Sequence, residues 1–182
     1  MHGLPISTPS LQLRHIVQGD ALEMMALNAE PSTSHWLPSH VYATADEAQS
    51  RIEYLISCYA EPGHPQRGPY VLAVAETSTS RLLGHVGFSP LDDEVEVSYA
   101  IAESARGRGY GVESLASACE WVANTFAVPR VVAITEVANV PSRCILERAK
   151  FVHVQDEDMI FQGVQHAVSR YCWHAPAPRG GA

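Results

Sequence analysis

Six consecutive residues, Arg106-Gly107-Arg108-Gly109-Tyr110-Gly111, have the types and spacing to hold a phosphate. Glycines let a backbone approach a ligand with no Cβ in the way. Where such a turn opens a helix, the first N–H groups lack intrahelical partners and the helix dipole adds partial positive charge. An anion suits that place. Arg106 and Arg108 bracket the turn and can meet phosphate oxygens. The glycines do not follow the dinucleotide spacing G-x-G-x-x-G, because the third residue after Gly109 is Val112, and no G-K-[ST] follows, which excludes a P-loop. Taken alone, the turn is equally compatible with a glycine-rich loop that binds nothing.

The elements around the turn decide more. Residues 94–101 alternate cleanly: Val95, Val97, Tyr99 and Ile101 on one face, Glu94, Glu96, Ser98 and Ala100 on the other, which is a strand. After the turn, Val112, Leu115, Ala116, Cys119, Val122, Ala123 and Phe126 recur on one face of a helix over 110–126. Upstream, residues 11–16 read as a strand. Asp20-Ala21-Leu22-Glu23 and Thr44-Ala45-Asp46-Glu47 read as capping boxes at two helix starts, with residues 32–40 a loop between the helices. Residues 70–75 and 82–88 read as paired strands, and Ser89-Pro90-Leu91-Asp92-Asp93 as a turn. Residues 130–137 read as an apolar strand, and Pro141 begins a short helix to Ala149. Residues 151–154 and 167–173 read as two last strands. The order predicts a mixed α/β domain with one central sheet over residues 10–174. A loose lead over 1–9 and a disordered Pro/Gly/Ala-rich tail over 175–182 flank it.

Several motifs now combine. Arg106-x-x-Gly109-x-Gly111 matches the [Q/R]-x-x-G-x-[G/A] signature, after a strand ending Tyr99-Ala100-Ile101 and before an amphipathic helix. Asn139-Val140-Pro141-Ser142 and Leu146-Glu147-Arg148-Ala149-Lys150-Phe151 resemble an N-x-x-S…E-K-x-G-F segment. Leu83-Gly84-His85-Val86-Gly87-Phe88 and Glu96-Val97-Ser98-Tyr99 resemble two further strands of the same family. Over residues 11–173 the chain resembles the GNAT superfamily of N-acetyltransferases, in particular its ribosomal-protein N-terminal acetyltransferase branch. That resemblance implies a mostly antiparallel, splayed sheet of six or seven strands flanked by about four helices, with acetyl-CoA in the gap. It implies the pyrophosphate on the N–H groups of Gly107, Arg108, Gly109, Tyr110 and Gly111, with Arg106 alongside. The pantetheine arm would pair with backbone at Tyr99, Ala100 and Ile101, and Asn139 and Ser142 would flank the cofactor.

The implied chemistry is direct attack of a primary amine on the thioester. Backbone N–H near Ile101 would polarise the carbonyl, and aligning the reactants supplies much of the rate. Most amines are protonated at pH 7, so a base must take a proton. Glu96, on the strand beside the expected acceptor site, is the candidate, against the alternative that Glu94 and Glu96 form a solvated strand face. No Tyr stands between Asn139 and Phe151, where many family members place the acid, so Ser142 is the candidate donor to the departing thiolate. An ordinary helix-start serine is the alternative. Lys150 stands where the family has the Gly of a left-handed helix cap. Trp36 lines the acceptor pocket or anchors its loop. The acceptor is an amine-bearing small molecule or a protein N-terminus. A non-catalytic acyl-CoA sensor on the same fold is the competing reading.

Composition sets outer limits. The 182 residues, 46% apolar and 18% charged, suit one globular domain. With 12 basic and 20 acidic residues the net charge is −8 and the basic residues are scattered, which argues against nucleic acid and tolerates a cationic acceptor. No run of 18 apolar residues exists, so no membrane partner is expected. No secretory signal is visible, and the four widely spaced cysteines suit reduced thiols, so a cytoplasmic location is expected. Cys144 is expected in the core or lining a pocket. The nine histidines form no H-E-x-x-H, so no metal is expected. The chain is expected to be a monomer or a homodimer.

Overall fold

The computed structural model describes residues 3–161 and 164–176. Eight strands and five α-helices follow one another as β1 (Ile6–Ser7), β2 (Leu11–His15), α1 (Ala21–Asn28), α2 (Pro31–Trp36), α3 (Ala45–Ser57), β3 (Tyr70–Glu76), β4 (Leu82–Leu91), β5 (Glu94–Ile101), α4 (Tyr110–Phe126), β6 (Arg130–Glu136), α5 (Val140–Arg148), β7 (Val152–Phe161) and β8 (Val164–His174). All strands lie in one sheet, ordered β1-β2-β3-β4-β5-β6-β8-β7. Every neighbouring pair is antiparallel except β5 and β6.

The sheet has one strand more than the six or seven expected. The addition is β1, two residues inside the segment read as a loose lead, held by pairing Ile6 with Leu13 and Ser7 with Gln12. Thr8 and the Ser10 N–H then tie that segment to the Glu113 carboxylate of α4. Strand β4 runs through the expected turn at Ser89-Pro90. Pro90 lies beyond the last pair with β3, Tyr70 with Phe88, where a missing N–H is tolerated. At the other end of the domain, the Ala175 N–H reaches Pro129 O at 2.9 Å, and the rest of the expected tail, 177–182, lies outside the described residues.

The two faces of the sheet carry separate cores. Leu115, Ala118, Cys119 and Val122 of α4 and Leu146 of α5 pack on Leu72, Val74, Val86, Phe88, Val95 and Val97. Opposite them, Met24 of α1 and Ile52 and Leu55 of α3 pack on Ala73 and Leu82. Burying one such Leu or Ile contributes about 1.5–3 kcal/mol.

The helix starts divide. Thr44 Oγ1 accepts from Glu47 N at 3.1 Å, as a capping residue should, though the Glu47 carboxylate returns to Ala43 N rather than to Thr44 N. Asp20 does not cap α1. It sits in helical conformation (φ −79°, ψ −8°), where a capping side chain cannot reach back, and its carboxylate instead takes Arg14 at 2.7 and 2.8 Å. The loop expected over 32–40 overlaps α2, a six-residue helix with Pro31 at its first position.

Candidate active site

The glycine turn forms as its spacing suggested. A short 3₁₀ turn, Glu103–Ala105, follows β5 and delivers the chain to Arg106. Gly107 (φ +76°) and Gly109 (φ +82°) are left-handed, and Gly109 is the N-cap of α4. Nothing lies within 4 Å of where their Cβ atoms would stand, so the demand for glycine there is conformational. Gly111 is different: a Cβ would meet Ile145 Cδ1 at 3.1 Å, so this glycine lets α5 close on α4. The first helical bonds of α4 run from Val112 and Glu113 N–H to Gly109 O, so the N–H groups ahead of them point out of the helix end.

Strands β5 and β6 diverge toward that turn. They share a single parallel pair, Glu96 with Val132. From there to Ile101, β5 keeps β4 on one side, as far as Gly84 paired with Ile101, while β6 pairs with β8. The β6-facing backbone groups of residues 97–101 are therefore open to a ligand, and backbone polar groups require partners. The gap is a cleft of about 980 Å³, lined by Glu96 to Ile101, the turn, Ala133 to Glu136, Asn139 and Ser142.

Glu96 stands at the fork and lines the cleft. Burial pushes its carboxyl above the usual carboxylate range, and the Arg170 charge opposes this only in part. Glu94, two residues earlier on the same face, is committed elsewhere: Arg130 at 2.6 Å and Arg170 at 2.9 Å hold its carboxylate. Arg170 also meets Glu157 at 3.2 Å, so two carboxylates share the charge that would otherwise favour ionised Glu96.

Across the cleft, Asn139 is buried and caps α5, its Oδ1 accepting from Ser142 N at 3.2 Å. Ser142 Oγ lies 2.9 Å from the Tyr99 hydroxyl, which also reaches the Ser142 carbonyl oxygen at 3.1 Å. Burial raises Tyr99 to about 12, so its phenol keeps its proton at neutral pH. Sequence placed Tyr99 only as a backbone contact. The partnership of Tyr99 and Ser142 spans 43 residues and no local pattern announces it.

Trp36 lines the cleft from α2, its ring 4.3 Å from His35. Arg106 departs from expectation. Rather than projecting freely to a phosphate, its Nε donates to Ile101 O at 2.8 Å, and its Nη atoms meet Ser32 Oγ and Thr33 Oγ1 of α2. Glu30 and Glu103 lie 3.8 Å away. A guanidinium among two carboxylates and three oxygen acceptors is drawn to them, and it pins α2 to the end of β5. Arg108 is exposed. Cys144 is exposed and does not line the cleft, against expectation, because the inward positions of α5 fall on Ser142, Ile145 and Leu146. Lys150 takes the left-handed conformation (φ +71°) that the family's glycine would take, so the cap survives with a strained residue.

Comparison with known proteins agrees with this geometry. The Acetyltransferase (GNAT) domain family matches residues 10–152. The chain belongs to the GNAT acetyltransferase family. As a member it is an N-acetyltransferase. No curated protein matches it. Among solved structures, an acetyltransferase (GNAT family) from Bacillus anthracis is similar at 13% identity and TM-score 0.80, over 94% of this chain and 98% of that one. A ribosomal-protein-S5-alanine acetyltransferase from Vibrio fischeri is similar at 16% identity and TM-score 0.76, over 92% and 96%. A ribosomal L7/L12 alpha-N-protein acetyltransferase in complex with coenzyme A is similar at 17% identity and TM-score 0.77, over 92% and 96%. At these identities the likeness is one of fold. Among the described residues no helix is long and apolar enough to cross a membrane, and no group of three or more His, Cys, Asp or Glu side chains is placed to hold a metal.

Proposed function

We propose that this GNAT enzyme transfers the acetyl group of acetyl-CoA to the N-terminal amine of a peptide or protein, with Glu96 as base and Ser142 as acid. The observation that carries the cofactor assignment is the divergence of β5 from β6 directly below a left-handed glycine turn. The fit is chemical as well as spatial: the turn offers N–H groups to a pyrophosphate, and the open side of residues 97–101 offers a strand edge to an amide-bearing arm. The similar structure that holds coenzyme A supports the same reading. Two of the similar structures are named for protein acceptors, which favours a polypeptide amine over a free small amine.

Acetyl-CoA would supply the thioester that the amine attacks. The residues of this chain supply the rest. Glu96, its carboxyl raised by burial and so a stronger base than an ordinary carboxylate, accepts the proton of an incoming ammonium. Backbone N–H groups along the open edge of β5 take the charge that develops on the carbonyl oxygen. Ser142 Oγ gives its proton to the departing sulfur and regains one from the nitrogen that becomes the amide, while Tyr99, 2.9 Å away, hydrogen-bonds to Oγ and keeps its own proton. Arg106 and Asn139 act indirectly, the first by holding α2 and Trp36 over the cleft, the second by capping the helix that presents Ser142.

Thermal unfolding with acetyl-CoA, CoA and ATP tests the cofactor half. A ligand at 100 times its Kd stabilises by about 2.7 kcal/mol. The expected outcome is an upward shift with acetyl-CoA, none with ATP, and loss of the shift in Gly109→Glu. No shift with acetyl-CoA overturns the assignment. Acetylation of a peptide panel tests the acceptor half: turnover that Glu96→Gln abolishes without removing the acetyl-CoA shift supports it, whereas acetyl-CoA binding with no turnover on any peptide overturns the polypeptide acceptor.

A further inference from the structure

Beside the cleft, on the α1–α3 side of the sheet, lies a second and smaller cavity of about 70 Å³. It shares wall residues His40 and Ser98 with the cleft, so the two adjoin. Ser98 is two residues from Glu96 on the same face of β5, about 6.6 Å along the strand. The cavity has room for roughly two waters by the volume one water occupies in the liquid, or for a short side chain.

Its walls are polar in one sense. Buried Asn28 and His85 are joined at 3.2 Å, and Tyr42, His40 and Ser98 add further hydrogen-bonding groups. Burial drives His85 down to about 3, and lowers His40 with help from Arg51, so both rings are neutral at pH 7. Arg51 of α3 is then the one wall residue with a full charge, and among the described residues the wall holds no carboxylate. Glu47, one turn before Arg51, has its carboxylate on the Ala43 N–H at 2.7 Å. Gly87 opens the cavity: a Cβ there would stand 3.3 Å from Ser98 Oγ. A chain with 20 acidic and 12 basic residues has thus kept acid out of a polar pocket next to its candidate base.

We infer that this cavity is the subsite for the first side chain of the acceptor, and that it selects a short acidic one, with the amine directed to Glu96 and the side-chain carboxylate to Arg51. The inference rests on the peptide-amine reading above. It assigns opposite charges to two ends of one small acceptor residue, a carboxylate facing its amine and a guanidinium facing its acid.

The test compares kcat/KM for peptides that differ only in their first residue: Asp, Asn, Ser, Ala, Leu and Lys. The Asp peptide is expected to exceed its uncharged isostere Asn by about twofold to fivefold, the range of a partly exposed charge pair. Leu and Lys are expected to fall below Ala. In Arg51→Met, an exposed helix position where Met is a good helix former, the Asp-to-Asn ratio should fall to near one. The acetyl-CoA thermal shift, measured on the same sample, should not move. An Asp peptide no faster than Asn, or a ratio that survives Arg51→Met, overturns the subsite while leaving acetyl transfer intact. No turnover on any peptide overturns the peptide-amine reading, and the subsite with it.

Discussion

The two walls of the cleft are built on different principles. On the proposed cofactor wall the functional groups are backbone: the N–H groups of a left-handed turn and the open edge of β5. On the proposed acceptor wall they are side chains, contributed by α1, α2, α3, β4, β5 and β8. A backbone site depends on local conformation, which few residues encode, and so tolerates wide sequence change around it. A side-chain site depends on the simultaneous placement of distant residues, and each can change the acceptor without disturbing the cofactor. The same division runs along β5, where Glu94 is locked by two arginines and Glu96, two residues on, faces the cleft.

That contrast can be broken by experiment. Glu96→Gln should lower kcat by about 10²- to 10⁴-fold while the acetyl-CoA thermal shift persists. Loss of both would mean that the walls are not separable. Gly109→Ala should do the reverse. Holding a residue with a Cβ at φ +82° costs about 1–3 kcal/mol, visible as a lower Tm. KM for acetyl-CoA should rise more than KM for the acceptor. Ser142→Ala should lower kcat by about fivefold to tenfold, and Tyr99→Phe by less, about threefold, as expected for losing one hydrogen bond and then its support. If Tyr99→Phe is the more damaging, the phenol rather than the serine is the acid.

The smallest expected effect concerns pH. Activity should fall on acidification at a pH above the usual Glu range, because the carboxylate of Glu96 must be ionised and burial disfavours that form. Stability has the opposite sign. A carboxyl raised in the folded state binds its proton more tightly than in the unfolded chain, so its contribution is present at low pH and is lost as pH rises through the folded value. Glu96→Gln should therefore melt slightly higher than the parent at pH 7, and the gap should close by about pH 4. A gap that persists there would assign the gain to packing.

What the sequence disclosed follows the same line. Helix α4 occupies 110–126 as expected, because a glycine cap and a continuous apolar stripe are local signals. The strand alternation of 94–101 is equally local. Helix α2 was hidden: Pro31-Ser-Thr-Ser-His-Trp36 has weak helix formers, and the helix is held by Glu30, Arg106 and Glu103, the last two more than 60 residues away. Strand β1 was hidden because two residues carry no period. Arg106 was legible as part of the turn and misleading as to where its charge is used. The small cavity was invisible, since its walls come from six separate segments.

Arg106 has one more consequence. Its guanidinium joins the last carbonyl of β5 to the hydroxyls of α2, so the floor of one compartment and the roof of the other are fastened by a single side chain. If a ligand that steadies the turn also restricts the helix that carries Trp36, thermodynamic linkage makes the benefit mutual: occupancy of either compartment would raise affinity in the other by the same factor. The two substrates would then meet as parties to one equilibrium, each holding open the place the other needs.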